Sequence, residues 1–551
     1  MSTRTRVPIA LLPTGVPGLD EILGGGLPEY SFNLIAGTPG AGKTTLAHQL
    51  MFALSSPTRP VLYFTLIGEP PLKMLRYQQQ MDFFDPTRIG ASVHFVDLSD
   101  SALEHDLGQV LGTIVRRVEE ISPGLVFVDS FQTVAQVATD AAGRSMSPQH
   151  FVQRLAVQLT GWQATTFLIG DFPDDELHGN PAFTVADGIF KLTQSVARNS
   201  SVRKLEVVKS RGQAPMPGLH TFRITAAGLQ TFPRIADPRD VTRARIGADR
   251  LVSGVAGLDA LLGGGIPAGD ALLVTGPSGT GKSALATQFI AAGGAAGQAG
   301  VIAVFEERPQ QYLQRAAAFG LDLAALMREG NLEVIYIRPL DLSPDETLHE
   351  ILEAVHRVGA QRVVIDSVSG FELALAPSFR EDFRESFYRL VGALTGTGVT
   401  VLLTMEIAPS DAALRFSPYV VSFLADDIVL LRYDERANEI RKSLMVVKMR
   451  GSDHSKERWL YEVTGQGVIV RERLRSGDAP ADQPGLTARE LTVWRALLEL
   501  GEASPDALAQ RTGLSETDLT AALERLVGLG RAVGVGGEQG AVFRPIAQGP
   551  G

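Results

Sequence analysis

Two octapeptides carry the residue types that hold phosphate: GTPGAGKT, Gly37 to Thr44, and GPSGTGKS, Gly276 to Ser283. Both satisfy G-x-x-x-x-G-K-[ST], and each follows an apolar β-branched run and opens a stretch of helical period, the setting the motif requires. Glycines let successive backbone N–H groups converge on phosphate oxygens, and the N-terminus of the following helix adds a favourable dipole. The residues that line the first cradle are Gly37, Thr38, Pro39, Gly40, Ala41, Gly42, Lys43, Thr44 and Thr45. The second is made of Gly276, Pro277, Ser278, Gly279, Thr280, Gly281, Lys282, Ser283 and Ala284. In such a loop Lys43 and Lys282 sit at the β and γ phosphates, and Thr44 and Ser283 hold Mg²⁺. A second magnesium anchor should be an acid ending an apolar strand, and Asp129 in LVFVDS and Asp366 in RVVIDS fit. An Asp in that place alone is equally a helix cap; the phosphate loop in the same domain favours the metal.

These parts occur twice because the chain repeats itself. TGVPGLDEILGGGLP, from Thr14, parallels SGVAGLDALLGGGIP, from Ser253. Lys43 and Lys282 are 239 positions apart (282 − 43), and so are Lys209 and Lys448. One offset held over that distance implies two domains of one fold, residues 7–230 and 246–470. A Pro, Asp and Arg-rich linker at 231–245 separates them, and a second linker at 471–485 precedes a small domain at 486–545. In each copy short, almost wholly apolar runs (VLYFTL, LVFVDS, TTFLIG; VIAVFE, RVVIDS, VTVLLT) alternate with helical stretches. That pattern predicts an α/β fold, a mainly parallel twisted sheet covered on both faces by helices.

Composition sets limits on partners and compartment. The 551 residues are 44% hydrophobic and 20% charged, an ordinary globular balance. A formal net charge of −10 supplies no global attraction for nucleic acid or anionic lipid. With no cysteine there are no disulfides or thiolate metal sites, which fits a cytoplasmic location. The apolar run in MSTRTRVPIALLPTG is too short for a signal peptide, and no stretch has the length of a membrane helix. Histidines are scattered without metal-ligand spacing.

GLDEILGGGLP and GLDALLGGGIP, each just ahead of a phosphate loop, resemble the leading segment of RecA-type ATPases. The tandem arrangement, the FEERP segment (Phe305 to Pro309) and KMRG (Lys448 to Gly451) resemble the KaiC family specifically, over residues 7–470. The resemblance implies two stacked RecA-like P-loop NTPase domains, a homo-hexameric double ring, and ATP bound between neighbouring subunits. It makes Glu306 and Glu307 the catalytic carboxylate pair, one of which orients or deprotonates the attacking water. It makes Lys448 and Arg450 basic residues that reach into the adjoining subunit's nucleotide, with Lys209 and Arg211 in the equivalent places of the first copy. A short K-x-R element on its own would read as a solvated strand end; the shared offset favours function.

The first copy departs from this pattern. Pro70 and Pro309 keep the 239 offset, so Ile67 and Gly68 of TLIGEP hold the places of Glu306 and Glu307. Glu69 follows too late: a two-residue slip in extended chain displaces a carboxylate by ~6.6 Å. The expectation is that the first domain binds ATP, hydrolyses it slowly and mainly holds the ring together, while the second does the chemistry. Better-known family members phosphorylate an adjacent Ser-Thr pair; here those positions are Ser422 and Phe423, and Phe183 and Thr184 in the first copy. Half the pair is missing, so serine autokinase activity at Ser422 is the alternative to simple hydrolysis.

The tail, 486–545, reads as a winged helix-turn-helix-like domain with Ser504 and Ser515 as helix caps. From Leu486 onward it holds six Arg and no Lys against eight acids, a net of −2. Its third helix opens on Ser515, Glu516 and Asp518, where a groove-reading helix needs donors. Phosphate contacts need cations, so a protein partner is favoured over DNA, although Arg511, Arg525 and Arg531 could cluster. A RecA-type DNA-associated ATPase is the rival reading of the whole chain, and the acidic balance disfavours it.

Overall fold

The computed structural model describes residues 9–65, 71–98, 107–130, 148–171, 181–197, 200–234, 249–337, 343–375, 379, 383–407, 425–436, 439–474, 488–529, 532–537 and 540–545. The buried apolar runs become the strands of two nine-stranded sheets built to one plan. In the first, Phe32–Gly37 lies between Thr165–Gly170 and Gly188–Ala197 and is parallel to both. Beyond Thr165–Gly170 come Leu125–Asp129, Val61–Thr65 and Val93–Asp97, all parallel. The second sheet repeats this order around Ala271–Gly276, flanked by Thr400–Glu406 and Asp427–Arg436. Each sheet ends in three antiparallel strands, Ser200–Ser210, Leu219–Thr225 and Gly228–Phe232 in the first. Strands buried on both faces are apolar at every position, as Leu125–Val128 and Val363–Ile365 are. The fold class is therefore α/β, with two tandem parallel-dominant domains.

The terminal antiparallel strands run further than the sequence indicates. Gly228–Phe232 passes the expected boundary at 230, and Gly467–Arg473 passes the one at 470. Phe232 still pairs with Thr221, and Arg473 with Trp459. An edge strand needs an apolar residue on one face only, so polar residues such as Arg471 and Arg473 hide it.

The two domains touch within the chain. The first domain's Arg223 forms an ion pair with Glu346, a buried residue of helix Pro344–Val358 in the second. Phe232 meets His349 of the same helix edge-on at 5.6 Å. In the tail, helices Ala488–Leu500, Pro505–Thr512 and Glu516–Gly528 enclose Val493, Leu497, Leu508, Leu519, Leu523 and Leu526, and are followed by the hairpin Ala532–Gly537 and Gly540–Pro545. Ser504 Oγ accepts from the N–H of Ala507, and Ser515 Oγ from that of Asp518. Two of the tail's arginines are matched by acids, Arg489 with Asp518 and Arg544 with Glu502. Arg531 lies outside the described residues.

Candidate functional site

Each phosphate loop joins the end of a central strand to a helix at a left-handed glycine. Gly42 has φ 103° before helix Lys43–Leu54, and Gly281 has φ 98° before Lys282–Ala295. A Cβ on Gly42 would stand 2.6 Å from Ile224, so both backbone and packing demand glycine there. The loops open at the C-terminal ends of the parallel strands, where ligands of open α/β sheets bind.

In the second domain Lys282 Nζ donates to the carbonyls of Gly276 (2.8 Å) and Pro277 (2.9 Å), folded back onto its own loop. Burial lowers its pKa, while Glu406, Asp366 and Glu306 oppose that shift, so three carboxylates face this ammonium. Asp366 ends strand Arg362–Asp366 and accepts from Thr404 Oγ1 at 2.6 Å. Glu306 Oε1 accepts from Ser367 Oγ at 3.1 Å, and that hydroxyl oxygen accepts in turn from the N–H of Gly370. The Ser367 proton is thereby committed to the glutamate. A Cβ on residue 370 would stand 2.8 Å from Glu306, so Gly370 leaves the carboxylate its space. Glu307 points elsewhere, to Arg315 at 2.6 Å. Burial raises the pKa of Glu307, and Arg315 draws it back down.

The first domain arranges its counterparts differently. Lys43 Nζ donates to Thr38 O at 2.9 Å and forms an ion pair with Asp171. Asp129 Oδ2 accepts from Thr44 Oγ1 at 3.1 Å and from the Tyr63 hydroxyl at 2.8 Å. The strand that leads to TLIGEP is in register with its counterpart: Thr65 pairs with Asp129 as Val304 pairs with Asp366. Ile67, Gly68 and Glu69 lie outside the described residues, as do Ser422 and Phe423.

Lys448 and Arg450 do not meet their own phosphate loop. Lys448 pairs with Ile428, which is level with Leu273, three residues below Gly276 and hence ~10 Å down the strand. There Lys448 Nζ donates to Ala425 O at 2.7 Å, and Arg450 Nη1 to Asp426 Oδ1 at 3.1 Å. Burial, then Arg450, lowers the Lys448 pKa. The first copy repeats the arrangement, with Lys209 donating to Phe183 O and Thr184 O and Arg211 to Asp187 Oδ1. The Arg450 and Arg211 side chains are 52% and 60% exposed, so both can reach another molecule.

Sequence reasoning missed the acids opposite the lysines. Glu406 is level with Gly276, and Asp171 follows Gly170, which is level with Ala36. They are equivalent, yet 235 positions apart rather than 239, so a fixed offset passes over them. The signal was present: TTFLIGD and VLLTME are apolar strands that end in an acid, as do those of Asp129 and Asp366. Three further side chains fasten the second loop from the antiparallel strands. Tyr433 donates to Ser278 O (2.9 Å), Lys442 to Gly279 O (2.9 Å) and Tyr461 to Thr280 O (2.6 Å). More than 150 residues separate each pair, and an aromatic residue in a strand has an ordinary β-propensity explanation.

Among the described residues no helix is long and apolar enough to cross a membrane. The family model for the KaiC ATPase matches residues 12–235 and 251–475. The chain is 28% identical over 484 residues to the circadian clock protein KaiC3 of Synechocystis sp., covering 85% of this chain and 93% of that protein. It is 28% identical over 469 residues to the circadian clock oscillator protein KaiC of Prochlorococcus marinus, covering 84% and 92%. With both halves matched in tandem and a phosphate loop in each, the chain belongs to the KaiC ATPase family.

Proposed function

We propose that this chain is a nucleotide-driven ring ATPase that binds Mg-ATP in both domains and hydrolyses it mainly in the second, in a signalling or regulatory role. The observation that carries the reading is Glu306, held by Ser367 Oγ on the side of the pocket that faces Lys282 and Asp366. Glu306 takes a proton from water, the water oxygen bonds to the γ-phosphorus, and the bond to the β-phosphate oxygen breaks to release ADP. Lys282 moves from its own carbonyls onto the phosphates, because little covalent chemistry is left to the protein beyond positioning and charge stabilisation.

The oxygen donors fit magnesium. Thr44 and Asp129 already meet at 3.1 Å, and Ser283 and Asp366 hold the equivalent places in the second domain. Bound there, the ion neutralises charge on the terminal phosphates. The position of Lys448 and Arg450 at the foot of the sheet supports a ring, since Arg450 is exposed there and can extend to a neighbouring subunit's nucleotide. Lys209 and Arg211 have the same relation in the first domain. Serine autokinase activity at Ser422 is the second reading, favoured only by family resemblance. The tail's paired arginines and acidic third helix favour a protein partner over DNA, and the cysteine-free chain fits a cytoplasmic setting.

Light scattering of the full chain tests the assembly. Mg-ATP is expected to shift it to a species of six subunits, and Lys43→Ala to weaken that shift. A chain that stays monomeric at saturating Mg-ATP refutes the ring and the intersubunit role of Arg450.

A further inference from the structure

We propose that Arg315 is a resident counter-ion that keeps a divalent cation out of the second-domain site until the metal arrives with the nucleotide. The inference rests on the Mg-ATP reading of that site. Arg315 Nη2 is 2.6 Å from Glu307 Oε1 and 3.6 Å from Asp366 Oδ2. Its guanidinium lies over the Tyr312 ring, 4.7 Å from the centroid. Tyr312 is fully buried and accepts from Thr287 Oγ1 at 3.1 Å, so the platform is fixed. Nε is buried without a hydrogen-bond partner, while Nη2 is held closely by Glu307 and only loosely by Asp366. The contact to Asp366, an ångström longer than the one to Glu307, is the one this cation can release.

Without Arg315, Glu307 and Asp366 would lose the cation they share, with Glu306 close by, and neighbouring carboxylate oxygens are what a hard divalent cation takes. Among the described residues no group of three acidic or imidazole side chains is arranged to hold a metal, and between two of these acids stands Arg315. Metal arriving as the triphosphate complex brings its own oxygen ligands, so Arg315 needs to give up only Asp366 and can remain on Glu307. The matching residues of the first domain are placed differently. Asp129 accepts from two neutral hydroxyls, and Arg76, 239 positions before Arg315, is exposed.

Mn²⁺, followed by paramagnetic resonance on the nucleotide-free full chain, tests this. Arg315→Gln is expected to gain one Mn²⁺ site per chain, bound roughly tenfold or more tighter than anything in the parent. Arg315→Met, which keeps an apolar stem over Tyr312, should show the same gain and stands in if the glutamine variant fails to fold. Arg315→Lys keeps the charge and should bind as the parent does, and adding Glu307→Gln to Arg315→Gln should remove the gain. Parental Mn²⁺ affinity in a folded Arg315→Gln or Arg315→Met chain overturns the proposal. Mn²⁺ with ATP on the parent is the separate control: failure to bind there would refute the Mg-ATP reading rather than the role of Arg315.

Discussion

Glu306→Gln is expected to lower steady-state ATP turnover by roughly 10²–10⁴, the usual worth of a positioned general base. Glutamine is isosteric and its side-chain oxygen still accepts from Ser367 Oγ, so the pocket keeps its shape and loses the basic oxygen. The affinity for Mg-ATP should stay near the parental value, because Lys282 and Asp366 are untouched. Glu307→Gln should cost less, since that carboxylate is engaged by Arg315 at 2.6 Å rather than offered to water. Phosphate release and equilibrium nucleotide binding, measured on both variants, separate the two glutamates. A larger loss from Glu307→Gln than from Glu306→Gln would exchange their roles.

Arg450→Ala should lower turnover by roughly 10²–10³, the scale of removing one preorganised donor from a transition state. Arg450 lies two residues beyond Lys448, which is itself ~10 Å below its own loop, and its side chain is 52% exposed, so the loss must arise in a neighbouring subunit. Mixing supplies the discriminating observation. In a head-to-tail ring, an Arg450→Ala chain offers an intact pocket and a Glu306→Gln chain an intact arginine. Equal amounts of these two inactive variants should recover ~one quarter of the parental rate, because about a quarter of random interfaces are then whole. No recovery in rings shown to be mixed would place Arg450 in its own subunit's chemistry, or outside the chemistry altogether.

The duplication, the phosphate loops and the strand-end aspartates were legible because each is local: a glycine pattern, or an acid closing a short apolar run. The parallel sheets followed from strands apolar at every position. Glu406 and Asp171 escaped because the intervening loops differ by four residues, which slips the offset to 235 although the strand registers agree. Arg315 escaped for another reason: a basic residue on an amphipathic helix reads as solvated, and its 37% exposed side chain is tied to function only by Glu307 and Asp366. Tyr433, Lys442 and Tyr461 reach the second loop through antiparallel pairing that no sequence period records. The last strands of both domains ran past their expected ends because a polar edge strand resembles a linker.

Division of labour between the domains is tested most directly by phosphate release from Lys282→Ala beside Lys43→Ala, each corrected for the fraction assembled. Lys43→Ala should retain most of the turnover per ring, and Lys282→Ala should lose most of it. Lys282→Ala working at the parental rate would contradict the assignment, and would move ATP cleavage to the pocket where Asp171 holds Lys43.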